Sequence, residues 1–262
     1  MRVDTTTRAF VTGASKGIGR AIAEALAGRG ATVGLAARGA SELEALAARL
    51  GPGAHAVPCD VGDAADVAGA VERFASAAGG LDLVVANAGV AHYGPFAGQD
   101  PELHERMTRI NWLGTVNTVR AALGHLVRAG HGHVVIVSSG AGLRVFPQAA
   151  VYGATKAAQR AFAEALRHEL AGTGVSVTTV FPGEIATHLH DHDKSTMPAW
   201  YHSEDAADPA GLAAAVLRAV ERDRRTVAYP RQVSLLALNA VAPRAVDALL
   251  RRLRGTSAAP RT

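Results

Sequence analysis

The chain has 262 residues, 48% hydrophobic and 19% charged, a balance that fits one globular domain with at most a modest appendage and excludes a disordered or fibrous protein. At this length folding removes roughly 70 to 75% of the unfolded surface from water. No apolar run approaches the ~18 residues of a membrane span, and the polar opening from Met1 to Phe10 does not read as a signal peptide, so the expected location is cytoplasmic. The single cysteine, Cys59, excludes an intrachain disulfide and a cysteine-rich zinc site.

The net charge of +4 is unevenly spread: from Arg218 onward ten arginines face three acids, a balance of +7, which leaves everything before it at −3. The basic character belongs to the tail.

Short β-branched runs alternate with longer alanine-rich segments of helical period, the pattern of repeated strand-helix units around a parallel sheet. Strands are expected at 9–12, 32–36, 54–58, 83–86, 133–138, 175–181 and 226–229, and helices at 17–29, 41–50, 64–78, 102–128, 151–170 and 209–222. The fold class is therefore α/β, a doubly wound parallel sheet of Rossmann type. A single domain is expected over 1–230, with a basic amphipathic appendage over 231–262 that has an apolar stretch at 234–242, a break at Pro243 and a helix at 244–254.

The first strand runs straight into Thr12-Gly13-Ala14-Ser15-Lys16-Gly17-Ile18-Gly19 and then a helix. A strand that turns sharply into a helix N-terminus presents backbone N–H groups and the positive helix end to a pyrophosphate. Gly13 lets the turn form, Gly17 lets a cofactor approach the backbone, and Gly19 lets the helix pack closely on the sheet. A glycine cluster alone also serves turn geometry, so the flanking strand and helix carry the reading.

An enzyme that uses NAD normally places an acid at the end of the second strand, against the ribose 2′-hydroxyl. Here the strand ends in Ala36-Ala37-Arg38. Arg38 can pair with a 2′-phosphate, and Lys16 adds a second positive charge, which points to NADP(H) in preference to NAD(H).

Tyr152 and Lys156 are four apart at the start of a helix and share one face. A phenol with a pKa near ~10 is a poor proton carrier at neutral pH, and a nearby ammonium favours its phenolate form. Ser139 follows the fifth strand, at the sheet edge where ligands bind in such folds, and can polarise a carbonyl beside Tyr152. Its neighbour Ser138 competes for that role and is expected to face the other way.

At this point the sequence resembles the short-chain dehydrogenase/reductase family, in its classical branch, over about residues 8–229. The glycine motif matches Thr12 to Gly19, an Asn-Ala-Gly segment matches Asn87, Ala88 and Gly89, and the active-site tetrad matches Asn111, Ser139, Tyr152 and Lys156. The thirteen-residue step from Ser139 to Tyr152 is typical of the family and selects Ser139 over Ser138. A Pro-Gly motif matches Pro182 and Gly183, followed by Thr187.

The resemblance implies a cofactor cradle of Gly13, Ser15, Lys16, Gly17, Ile18 and Gly19, continued by Asp60 at the adenine, Val61, and Asn87 to Gly89. Pro182, Gly183, Ile185 and Thr187 would line its nicotinamide end, with Thr187 at the carboxamide. Lys156 would grip the ribose and lower the pKa of Tyr152, while Asn111 would hold, through its helix backbone, a water that passes protons to Lys156. The implied reaction interconverts a ketone or aldehyde and an alcohol by hydride transfer, with Tyr152 as acid and base. The alternatives are a cofactor-retaining epimerase or dehydratase and a non-catalytic NADP(H)-binding redox sensor; the complete tetrad argues against the sensor.

Two departures stand out. Ala86 replaces an asparagine that the family often carries, and the C-terminal pattern that helps build the family's tetramer is missing. The expected assembly is a homodimer through the helices that begin near Glu102 and Val151.

Residues 183–208 form a long segment expected to act as a polar lid. Its His188, His190, Asp191, His192 and Asp193 resemble metal ligands in composition but not in spacing, so no metal is expected. Trp200 and Tyr201 in the lid, and His92, Tyr93 and Phe96 after Gly89, are candidates to face the substrate or simply to pack. Phe96 and Trp200 give a preference for an apolar substrate. The tail is expected first as a cover on the cleft or a subunit contact, then as a solvated helix, then as a peripheral membrane contact. No nucleic-acid module is present.

Overall fold

The computed structural model describes residues 1–187, 189 and 206–254, with the backbone alone for 249–254. Strands β1 (Arg8–Thr12), β2 (Thr32–Ala37), β3 (Ala54–Pro58), β4 (Leu83–Ala86), β5 (Gly132–Val137), β6 (Val175–Pro182) and β7 (Thr226–Tyr229) form one sheet in the order β3-β2-β1-β4-β5-β6-β7. Every pairing is parallel. Both faces are covered, which is why the strands read as unbroken apolar runs.

The period-two alternation of a strand divides the core into two layers. Ala9, Val11, Leu83, Val85, Val135 and Val137 face α1 (Gly17–Ala27), α2 (Ala40–Leu50) and α7 (Pro209–Glu221), which contribute Ile22, Leu26, Leu43, Leu212 and Val216. Phe10, Val84, Ala86, Val134 and Ile136 face α3 (Ala64–Ala78), α5 (Gly114–Ala129) and α6 (Ala150–Glu169), through Phe74, Val119, Leu126, Ala163 and Leu166. The rings of Phe10 and Phe74 lie 5.8 Å apart. Gly34 between them has no room for a side chain, since a Cβ there would come 2.7 Å from the Phe74 ring.

The expected helix over 102–128 is interrupted. It divides into α4 (Pro101–Met107), a π-helical stretch (Thr108–Leu113) and α5. The wider turn carries Asn111, fully buried, whose side chain reaches across to the loop after β4. Turns of this type occur frequently at functional sites.

β1 pairs with β2 on one side and β4 on the other, so chain order reverses there and a crevice opens at the carboxyl ends of the strands. Beyond β7, a 3-10 helix (Arg231–Ala240) folds back over that crevice, with Val233 and Leu236 lining the cavity there, and α8 (Pro243–Arg254) follows it. The fit needs bare backbone beneath it. A Cβ on Gly140 would lie 3.2 Å from both Val233 and Leu236, and one on Gly183 would lie 2.8 Å from Val233. An ion pair between Arg144 and Asp247 fastens α8. The first part of the tail thus lines the cleft, through Val233 and Leu236.

Of the lid, the two ends are described: Ile185 bridges to Ala207, with Ala207 N–H donating to the Glu184 carbonyl at 2.9 Å. His188, His190, Asp191, His192, Asp193, Trp200 and Tyr201 lie outside the described residues. No helix among the described residues is long and apolar enough to cross a membrane.

Candidate active site

The glycine turn has the backbone that its residues require. Gly13 and Gly17 adopt φ of +67° and +60°, a left-handed conformation that side chains resist. At Gly19 a Cβ would sit 2.2 Å from the Gly13 carbonyl oxygen and 2.4 Å from the Asn87 amide nitrogen. No side chain caps the N-terminus of α1, so its first N–H groups stay available to an anion. That combination fits the pyrophosphate of a dinucleotide.

Thr12 does more than belong to a motif. Its hydroxyl donates to the Val85 carbonyl (3.2 Å) and accepts from the N–H groups of Asn87 (3.0 Å) and Ala88 (3.2 Å). The Asn87 amide donates back to the Thr12 carbonyl at 2.9 Å, so the ends of β1 and β4 are lashed together under the crevice. Ala14 N–H donates to the Ala36 carbonyl at 3.1 Å, which brings the end of β2 alongside. Arg38, two residues on, is exposed. At the end of β3, Asp60 accepts from Gly62 N–H at 2.8 Å and Val61 is buried.

Tyr152 and Lys156 stand one turn apart on α6, 6% and 4% exposed. The Tyr152 phenol is hydrogen-bonded to Ser139, whereas Ser138 turns away and donates to the Lys156 carbonyl at 2.8 Å. The tyrosine therefore meets Ser139, and Ser138 anchors the helix. The Lys156 ammonium donates to the Val137 carbonyl at 3.1 Å and lies 5.8 Å from the centre of the Tyr152 ring.

The charge balance of this pair differs from expectation. Burial raises the Tyr152 pKa, and the hydrogen bond from Ser139 offsets only part of that rise. Burial also lowers Lys156 to about 7. Desolvation thus acts on both groups, raising the phenol and lowering the amine.

Asn111 also departs from its implied role. Its carbonyl, expected to hold a water, accepts from the Thr115 hydroxyl at 2.8 Å and the Gln159 amide at 2.9 Å, which engages both lone pairs. Its side chain bridges the backbone N–H and carbonyl of Val90 at 2.8 and 2.9 Å, and donates to Thr155 at 3.1 Å. Asn111 is thus the joint between the π turn, the loop after β4 and α6.

Gln159 and Thr155 were missed as parts of this joint. A signal existed for Gln159: it falls on the buried stripe of α6 with Lys156, Ala163 and Leu166, and a polar residue on such a stripe has a partner to satisfy.

These elements enclose a cavity of about 480 Å³. Of the expected cofactor residues, Gly13, Ser15, Lys16, Gly17, Ile18, Asn87, Ala88, Gly89, Pro182, Gly183, Ile185 and Thr187 line it, together with Ser139, Tyr152 and Lys156. Gly19, Arg38, Asp60, Val61 and Asn111 do not: Gly19 and Asn111 are packed behind it, and the other three lie further along the same sheet edge. The end beside Tyr152 is largely apolar, walled by Tyr93, Phe146, Leu189, Val233 and Leu236, and Glu184 also lines the cavity. Tyr93 packs edge-on against Tyr152 with centroids 5.7 Å apart. Phe96 is absent from this wall; it is 64% exposed and stacks on His104 at 5.2 Å. His92 is buried beside a separate, smaller hollow.

Residues 7–198 match the family model for short chain dehydrogenases. The chain belongs to that family. An uncharacterized oxidoreductase of Myxococcus xanthus is 37% identical over 251 residues, 94% of this chain and 97% of that protein. Glycine betaine reductase ATRR of Emericella nidulans is 42% identical over 184 residues, 69% of this chain, but the matched part spans only 14% of the reductase.

Among solved structures, an alcohol dehydrogenase from Thermococcus sibiricus complexed with 5-hydroxy-NADP superposes with a TM-score of 0.76 at 29% identity, covering 85% of this chain and 95% of that one. A short chain dehydrogenase/reductase from Burkholderia phymatum in complex with NAD shares the fold over 100% of this chain and 99% of its own, with a TM-score of 0.85 at 22% identity. The short-chain dehydrogenase described here is accordingly an oxidoreductase with a nicotinamide-binding fold.

Proposed function

We propose that this short-chain dehydrogenase uses NADP(H) to interconvert an apolar ketone or aldehyde and the corresponding alcohol. The observation that carries the proposal is the hydrogen-bonded Ser139 and Tyr152 pair, set in a cavity whose other end is an uncapped, glycine-lined helix N-terminus. The cofactor would supply the hydride. Ser139 and Tyr152 both reach the place of a substrate oxygen, where two donors favour the charge that grows as a carbonyl becomes an alkoxide. Tyr152, kept protonated by burial, is the group that delivers the proton. The apolar wall of Phe146, Val233 and Leu236 supports an alkyl or aryl substituent on the reacting carbon, and the cover excludes water from the reaction.

For the choice of nucleotide, the exposed Arg38 just past β2, whose Ala36 is hydrogen-bonded to the glycine turn, supports a contact with a 2′-phosphate. A charge-assisted contact there contributes about 1.5 to 3 kcal/mol. Calorimetric titration is therefore expected to show NADPH binding more tightly than NADH, and Arg38→Ala to weaken NADPH roughly 10- to 100-fold with little change for NADH. Equal loss for both nucleotides, or none, would remove Arg38 from the site. We also propose that the enzyme is cytoplasmic and works as a homodimer through α4, α5 and α6, where Leu113 is exposed.

A further inference from the structure

Half of the exposed large apolar side chains among the described residues fall within seven positions of the cover: Leu235, Leu238 and Val241, 62%, 55% and 83% exposed. Their spacing of three matters because they lie on a 3-10 helix, where residues three apart stack directly above one another. The bond from Val241 N–H to the Leu238 carbonyl, 3.0 Å, extends that period to Val241. The neighbouring row, Val233 and Leu236, walls the cavity. One short helix therefore presents one apolar row to the substrate space and an adjacent one to the outside.

The charge in this part of the sequence is largely of one sign. From residue 231 to the end the sequence holds six arginines and one acid, and that acid, Asp247, is engaged by Arg144. Arg231 and Arg244, which bracket the row, are exposed. The first 187 residues are nearly neutral, at +1, so the arginines of the tail are what an anionic surface attracts. A polar protein partner would leave the apolar row without a match, whereas an anionic bilayer offers acyl chains to the row and phosphates to the arginines.

We infer that the cover docks this enzyme on an anionic lipid surface, through Leu235, Leu238 and Val241 with Arg231 and Arg244 beside them. Docking there sets the cavity wall of Val233 and Leu236 beside the bilayer, which would shorten the path of a membrane-dissolved substrate to the site.

The test is sedimentation of the full chain with vesicles of pure phosphatidylcholine or of phosphatidylcholine mixed with phosphatidylglycerol, which needs neither cofactor nor turnover. Binding is expected only to the mixed vesicles and is expected to weaken at about 0.5 M salt, where charges are screened within a few ångströms. Replacing Leu235, Leu238 and Val241 together with serine is expected to reduce binding roughly ten-fold or more. Because all three side chains are exposed and none lines the cavity, melting temperature and NADPH affinity should stay as in the parent. Arg231→Ala with Arg244→Ala should weaken binding and its salt dependence together. Equal sedimentation with both vesicle types, none with either, or an unchanged triple variant would overturn the inference. So would a lipid-free mass by light scattering that drops from dimer to monomer in the triple variant, since a second copy would then cover the row.

Discussion

Tyr152→Phe is expected to lower kcat/KM for carbonyl reduction by about 10³-fold, the middle of the range for loss of a positioned proton donor, while NADPH affinity changes by less than about three-fold. The ring stays, so its edge contact with Tyr93 and its burial on α6 persist. What disappears is the phenol that meets Ser139. Steady-state NADPH oxidation, together with a separate binding titration, measures the two quantities. The pH dependence carries the same signature. Because burial raises the phenol's pKa, the parent enzyme holds its proton through neutral pH, so carbonyl reduction should be flat there and fall only in alkali. Alcohol oxidation needs the phenolate and should rise with pH over the same range. A phenylalanine variant that retains the parent's pH profile and rate would show that some other group moves the proton.

Lys156→Met should abolish turnover and yet stabilise the cofactor-free chain. In the fold, burial lowers the Lys156 pKa to about 7 from 10.5, and each unit of such a shift corresponds to about 1.4 kcal/mol. The charged amine therefore costs the folded state about 4 to 5 kcal/mol. Below pH 7 the amine is protonated in both folded and unfolded chains, and that cost is present in full. As pH rises above 7 the folded chain releases its proton first, the unfolded chain binds more protons, and stability increases until about pH 10.5. Chemical denaturation of parent and variant at a series of pH values reads this directly. The advantage of the methionine variant should be largest below pH 7 and shrink towards pH 10. An advantage that does not vary with pH would mean that packing, and not charge, decides the difference. Lys156 kept in place at that cost is what an active site requires, since a structural position would be filled more cheaply by an apolar side chain.

The sheet was legible because its strands are buried on both faces: runs such as Val134 to Val137 leave no other reading, and the glycines at 13, 17 and 19 mark a turn that only glycine can make. Ser139, Tyr152 and Lys156 were legible through spacing, since one helical turn and one strand end bring them together. The π turn at Asn111 was not, because widening a helix by one residue leaves its apolar pattern almost unchanged; neither Gln159 nor Thr115 announces a shared carbonyl. Phe96, left open between facing the substrate and packing, stacks on His104 outside the cleft, because closeness in sequence to Gly89 says nothing of the way the chain turns at Pro95. The cover was legible as apolar and basic. Its division into an inner row at 233 and 236 and an outer row at 235, 238 and 241 depends on a period of three, which a pattern search tuned to 3.6 blurs. Arg38 follows β2, as its sequence position required, and Asp60 follows β3.

The most direct test of the account is a crystal structure of the enzyme with NADP⁺. The account predicts the pyrophosphate on the N–H groups at the start of α1, the 2′-phosphate at Arg38, and the nicotinamide ring in the cavity with its reactive carbon facing the Tyr152 hydroxyl. A nucleotide bound elsewhere, or one whose nicotinamide points away from Ser139 and Tyr152, would contradict it.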